Sequence, residues 1–221
     1  MPDTPDPQAA YPQHTPQQPG LGCPIARLLG VLCLARGGLV TRAVGRYCGK
    51  EPGGPALLRQ VARCLAPGGV VLGDGYSRAS FRVAYLQARG VDDVGRQPQR
   101  RKADCRRGQR LGYEDHLLTW SKPARPAWRE EGAYQQVPAH RQVRELRVRG
   151  PRKGLRTRVL LVVTTLVTAT ACTKEERGDL YRGRWHAALA LRAIKTARGM
   201  DLVRGTTPAM VRKELWMDVL A

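Results

Sequence analysis

The chain has 221 residues and a mass of 24.4 kDa, the length of one domain or one domain with an insertion. Thirty-eight Lys and Arg face eighteen Asp and Glu, so the net charge is +20 and the pI about 10.7. That balance argues against an acidic metabolic enzyme and for a polyanionic partner, most simply nucleic acid, while 42% hydrophobic residues exclude wholesale disorder. Residues 1–24 hold seven of the sixteen prolines and read as an extended loop. Two apolar runs follow, Ala26–Ala35 and Gly38–Tyr47, separated by Gly37-Gly38, and they predict adjacent strands. Past Gly53-Gly54-Pro55, the residues Leu57, Leu58, Val61, Ala62 and Leu65 recur at helical spacing. Ala66-Pro67-Gly68-Gly69 stops that helix, and residues 69–74, GVVLGD, form a short apolar strand ending in Asp74. A second helix is predicted over Arg78–Ala88, ending at Gly90, and a further strand starts at Val91–Gly95. Strand, strand, helix, strand, helix, strand is an α/β order with some parallel pairing.

From Arg96 to Arg158 the character changes. Arg96, Arg100, Arg101, Lys102, Arg106, Arg107 and Arg110 crowd fifteen residues, offset only by Asp104. Alternation then appears in HLLTW and in RQVRELRVRG, where Val143, Leu146 and Val148 interleave with arginines, so the segment reads as an inserted, mostly β, basic element. The run Val159–Ala171 is broken by four threonines and is well short of the ~20 residues that span a bilayer. Its Val/Thr content predicts a buried strand over 159–169. A long helix covers Thr173 to Ala197, with acids in its first turns and Gly199 beyond its end, and a last helix covers Pro208–Ala221. The N-terminus lacks the basic-then-apolar order of a signal peptide, and the expectation is a soluble cytoplasmic protein. Cys23, Cys33, Cys48, Cys64, Cys105 and Cys172 form neither a C-x-x-C pair nor zinc-finger spacing, and read as reduced, mostly buried thiols.

Two places could carry chemistry. Asp74 stands at the carboxyl end of an apolar strand, where α/β sheets place ligands and a carboxylate can reach a divalent cation; from position alone, an Asp capping a turn or the next helix is the commoner case. On the long helix, Tyr181, Arg184 and Lys195 lie at i, i+3 and i+14, within one ~60° sector that position 188 shares, and they span ~21 Å. That spacing suits successive phosphates of a DNA strand, or is an ordinary solvated basic face. Trp185 and Leu189 lie off the sector and are expected to pack into the core.

LYRGRWHAALALRAIK resembles the Y-x2-R-x3-E-x6-K signature of bacterial insertion-sequence transposases of the DDE class, the insertion-sequence-four family, matching at Tyr181, Arg184 and Lys195. Arg182, Trp185, His186, Leu191, Arg192 and Ile194 look like the flanking positions. GVVLGDGYSRASF is similar to the segment carrying that family's second catalytic Asp, with Asp74 as its counterpart. RQPQRRKADCRRGQRLG, DHLLTWSKPARPAW, LLVVTTLV and TPAMVRKELW look like family segments in the same order, so the resemblance covers nearly the whole chain.

The resemblance implies an α/β RNase H-like catalytic core, with residues 97–158 as a β-rich basic insertion. It implies two Asp and one Glu holding two Mg²⁺ for in-line attack on a DNA phosphodiester at transposon ends. Asp74 would then be catalytic and metal-ligating, while Tyr181, Arg184, Lys195, Arg192, Arg100, Arg101, Lys102, Arg106 and Arg107 would face DNA. Trp120 either stacks on an extruded base or packs in the core. The signature Glu, however, is Ala188. The strand bearing the first Asp would lie upstream of Met1, leaving the core without its first strand, with unpaired edges and poor solubility as the expected result. The position after the second Asp, usually Arg, is Gly75. Asp179 and Asp201 fall on roughly the opposite helix face from Ala188 and do not replace the Glu. The expectation is a transposase without catalysis, nucleoid-associated, acting alone, as a homo-oligomer or with a full-length transposase. The alternatives are a basic DNA-binding remnant that interferes with such a relative, and an unrelated basic RNA-binding protein, for which the stacking motifs of common RNA modules are missing.

Overall fold

The structure, a computed structural model, describes residues 1–14, 18, 22–47, 54–73, 79–97, 107–127, 129–149, 159–168, 173–197, 199 and 202–220. The chain divides into two compact units, Leu65–Arg184 and a second made of Met1–Cys64 with Trp185–Ala221.

In the second unit a hairpin pairs β1 (Ala26–Leu32) with β2 (Leu39–Arg46) in the antiparallel register Ala26↔Arg46, Leu28↔Val44, Gly30↔Arg42. The period of two splits its side chains between two faces. Leu29, Val31 and Ala43 meet Leu57 and Val61 of α2 (Gly54–Val61), which runs on into a short 3-10 turn, Ala62–Cys64. Ala26 and Val44, on the other face, join Tyr11, Val203, Val211 and Leu215, the last two from the C-terminal helix Pro208–Leu220. The Arg42 guanidinium donates to the Leu215 carbonyl and lies 4.0 Å from the centre of the Trp216 ring.

One correction concerns the N-terminus. Residues Pro5–Ala10 form a helix, α1, inside the segment expected to be an extended loop. Pro5 stands in its first turn, where the missing N–H would be unpaired in any case and the fixed φ favours the helix. The thiols differ from expectation too: Cys23 and Cys64 are exposed and Cys33 is partly buried, and all three are unbridged. Cys48, Cys105 and Cys172 lie outside the described residues.

The Leu65–Arg184 unit is built on a six-stranded mixed sheet in the order β3-β4-β8-β7-β6-β5. These strands are β3 (Val70–Gly73), β4 (Asp92–Arg96), β5 (Gln109–Gly112), β6 (Asp115–Ser121), β7 (His140–Arg149) and β8 (Val159–Thr164). β3 and β4 are parallel and joined through α3 (Ala79–Gln87); the remaining pairs are antiparallel. A short helix, α4 (Glu131–Gln135), lies between β6 and β7. The strands β5–β7, expected as an insertion, extend the same sheet, because β8 pairs with β4 on one side and with β7 on the other.

Alternation gives this sheet two apolar faces. On one, Val143, Val163, Trp120 and Leu118 receive Val83 of α3. On the other, Val94, Leu146, Val148 and Val162 receive Tyr181 from α5 (Lys174–Ala197). α5 comes unusually close to β7 at Gly178, where a Cβ would stand 2.7 Å from the Val148 Cγ1. A glycine inside a helix costs ~1 kcal/mol against alanine, and here it admits the approach of helix to strand. The remaining helix, Pro208–Leu220, is α6. Among the described residues no helix is long and apolar enough to cross a membrane.

Candidate catalytic position and nucleic-acid interface

β3 stops at Gly73, and Asp74 is the next residue; Asp74 itself lies outside the described residues, as do Arg100, Arg101, Lys102 and Arg106. What surrounds the strand end is defined. Gly73 pairs in register with Gly95 of β4, and the Arg82 guanidinium from α3 lies over both. A Cβ on Gly73 would stand 2.7 Å from the Arg82 Nη1, and one on Gly95 would stand 2.5 Å from the Nη2. Below the glycines, Arg82 donates to the Asp93 Oδ2 from Nη2 at 2.7 Å and from Nε at 3.2 Å. Asp93 is 2% exposed, and its pKa is raised because loss of hydration outweighs the attraction of Arg82. The Asp93 backbone N–H donates to the Thr165 hydroxyl, which donates in turn to Asp92.

Sequence reading missed this cluster, because the pair joins residues eleven apart on different elements. Its one legible trace is a glycine at the same place in VVLG and DDVG, two strands otherwise rich in bulky side chains.

α5 begins with a capping box. The Thr173 N–H donates to the Glu176 carboxylate at 2.6 Å, and the Glu176 N–H donates back to the Thr173 hydroxyl at 3.2 Å. The helix then runs unbroken to Ala197, so the phases of Tyr181, Arg184, Ala188 and Lys195 along it are those expected from their spacing. Their exposure differs. Tyr181 is fully buried among Val94, Leu146, Val148 and Val162, where its ring serves the core. Arg184 is half-buried, with its guanidinium carbon 5.4 Å from the centre of the Tyr181 ring. Ala188, Arg192 and Lys195 are exposed, and so is Arg107, ahead of β5. Trp120, weighed as a stacking residue, is 3% exposed and donates its Nε1 to the Glu145 carboxylate at 3.1 Å, so it stands in the core.

Trp185 and Leu189, expected in the core, are 52% and 59% exposed. Their i, i+4 spacing makes an apolar stripe, but a stripe is buried only where another element covers it.

Position 188 ends in a methyl group and offers no oxygen to a cation. Asp179, on the same helix, is ion-paired with Arg182 at 2.6 Å. Among the described residues no group of three or more His, Cys, Asp or Glu side chains is placed to hold a metal ion.

No family model matches the chain. The transposase InsG of insertion sequence element IS4 from Escherichia coli (strain K12) is 30% identical over a 227-residue alignment that takes in 100% of this chain and 48% of the relative. The chain thus spans about half the length of the curated relative it matches. No solved structure matches it.

Proposed function

We propose that this chain is a DNA transposase of the DDE class by descent, of the insertion-sequence-four family, and that it binds DNA without cutting it. The observation that carries the proposal is the 30% identity running over the whole chain to an insertion-sequence transposase. Three features support it. Tyr181, Arg184 and Lys195 keep the signature spacing on one unbroken helix. The parallel β3-α3-β4 unit ends its first strand one residue before Asp74, where the family carries a catalytic carboxylate. The charge of +20 suits a polyanion.

Under this reading, residues 1–221 are a transposase catalytic region with an RNase H-like core, and 97–158 is the basic β-rich element inserted in it. Asp74 is the surviving catalytic position. Arg192, Lys195, Arg107 and the arginines of 100–106 contact phosphate at the ends of an element. The family's reaction uses divalent cations, Mg²⁺ in the usual case, to polarise the scissile phosphate. The donor set here does not fit two such ions, because Ala188 has replaced the carboxylate that the second would need. The chain therefore holds DNA through its cations alone, and it competes for element ends with an intact relative wherever both are present.

The test is a nicking assay on supercoiled plasmid carrying element ends, with Mg²⁺ or Mn²⁺. The purified chain is expected to bind the DNA, with an affinity that falls steeply as salt rises, and to leave it uncut. Cation-dependent nicking that Asp74→Ala abolishes would overturn the non-catalytic assignment.

A further inference from the structure

Arg141 carries a buried charge that no carboxylate balances. It stands on β7 opposite Trp120 of β6, on the sheet face that Val143 shares and α3 covers, and it is 7% exposed. Its Nη1 donates to the Ser80 carbonyl, which sets the guanidinium against the first turn of α3. Its other terminal nitrogen, Nη2, is buried without a hydrogen-bond partner, and so is the Ser80 hydroxyl. The acids around it are engaged elsewhere or turned to water. Glu145, on the same strand face, accepts from the Trp120 Nε1 and the Gln97 Nε2; Glu131 is paired with Arg125 at 2.8 Å; Glu130 is exposed. What does act on Arg141 is a second cation. Arg129, its guanidinium carbon 4.9 Å from the centre of the Phe81 ring, joins burial in lowering the Arg141 pKa. A buried guanidinium without a counter-ion, beside a like charge, destabilises the fold until an anion joins it. The first turn of a helix adds backbone N–H groups and a positive dipole end to the same place.

We infer that Arg141, Ser80 and Arg129 form a binding site for one phosphate group at the N-terminal end of α3. The Arg141 Nη2 and the Ser80 hydroxyl donate to its oxygens, and Arg129 supplies the second positive charge. The donors come from a strand, a helix turn and a loop, a spread that suits a tetrahedral oxyanion better than a planar carboxylate. Both donor atoms are covered in this structure, so a phosphate enters as neighbouring side chains shift. The site lies on the sheet face opposite the one that α5 packs against. The same chemistry has two sources, free inorganic phosphate and the backbone of a nucleic acid, and the inference does not depend on DNA being the partner.

The test is equilibrium dialysis of the full chain against radiolabelled inorganic phosphate at constant ionic strength, alone and with a short DNA duplex added. Saturable binding of one phosphate per chain is expected. Arg141→Met keeps the length of the side chain without its charge and should weaken that binding by about 10-fold or more. Ser80→Ala and Arg129→Met should each weaken it by a smaller factor. Ser80→Ala deletes a single hydroxyl, so it keeps a folded variant in the series if circular dichroism shows that Arg141→Met is not native. Arg36→Met, an exposed position with the same change of charge, should bind phosphate as the native chain does. If the occupant is a backbone phosphate, the duplex displaces the label and Arg141→Met weakens duplex binding too. If it is free phosphate, the label stays on the chain when duplex is added. Either result supports the site and identifies its source. Three results overturn the inference: no saturable phosphate binding, a folded Arg141→Met or Ser80→Ala that binds phosphate as the native chain does, or a loss in Arg36→Met as large as in Arg141→Met.

Discussion

The two halves of α5 are one helix under two physical regimes. In residues 174–184 the helix is capped by Thr173 and Glu176, closes to within van der Waals contact of β7 at Gly178, and buries Tyr181 completely. In residues 185–197 the described side chains are almost all exposed, and the large apolar ones, Trp185 and Leu189, face water. Backbone periodicity is the same in both. What differs is how far the described side chains are covered: the ring at position 181 is fully buried and contributes to folding, whereas the ring at 185 is 52% exposed. The signature spacing of Tyr181, Arg184 and Lys195 crosses from the first regime to the second, so equal spacing does not imply equal roles.

The largest expected effect tests that contrast directly. Tyr181→Ala removes a fully buried ring and should cost about 3–5 kcal/mol in a denaturant melt. Leu189→Ala, in the exposed half, should stay within about 0.5 kcal/mol of the native chain. Equal costs would mean that the second half is covered in solution.

Arg82→Ala should cost about as much as Tyr181→Ala at neutral pH, because it strands the buried Asp93 carboxylate. The pH sign is fixed by the raised pKa of Asp93. A carboxyl with a folded pKa above its unfolded value stabilises the fold below the unfolded value, and that contribution is lost as pH rises through the folded one. Removing Arg82 takes away the attraction that restrained the shift, so the pKa climbs further. The deficit of Arg82→Ala should therefore narrow as pH falls through the acid range, read from melts at a series of pH values. A deficit independent of pH would mean that Arg82 acts through packing over the glycines and not through its charge.

A smaller loss than at Tyr181 or Arg82 is expected where helix and strand come close. Gly178→Ala gains up to ~1 kcal/mol of helix propensity but sets a methyl 2.7 Å from Val148, and a net loss of about 1–2 kcal/mol is expected. Adding Val148→Ala should recover part of that loss in a double-mutant cycle. A stabilised Gly178→Ala single variant would show that the first half of α5 sits further from β7.

Much of the fold was legible because local pattern and tertiary environment agree. The apolar runs of β1, β2 and β3, the alternation in β6 and β7, the Val/Thr content of β8 and the helical spacing in α2 gave elements within a few residues of those found. Reading failed where the deciding fact lies elsewhere in the chain. A proline-rich start reads as loop, yet Pro5 opens α1 and Tyr11 beyond it is held by Val211 and Leu215, two hundred residues away in sequence. The stripe Trp185–Leu189 has the period of a core face, but period cannot say whether a neighbour exists. Of the candidate site, the sequence showed Asp74 and the signature positions. It did not show Arg82 and Asp93, because an ion pair between a helix and a strand leaves no periodic trace.

The guanidinium of Arg82 takes up the room that two side chains would otherwise fill, one on Gly73 and one on Gly95. Those three positions are bound to drift together as copies of this sequence diverge. An enlargement at either glycine evicts the arginine, a shortened residue 82 leaves a void that an alanine or valine can fill, and Asp93 becomes expendable in the same step. Divergent copies should thus fall into two sets, one with small residues at 73 and 95 and an ion pair beneath them, the other with a plain apolar core, and few in between.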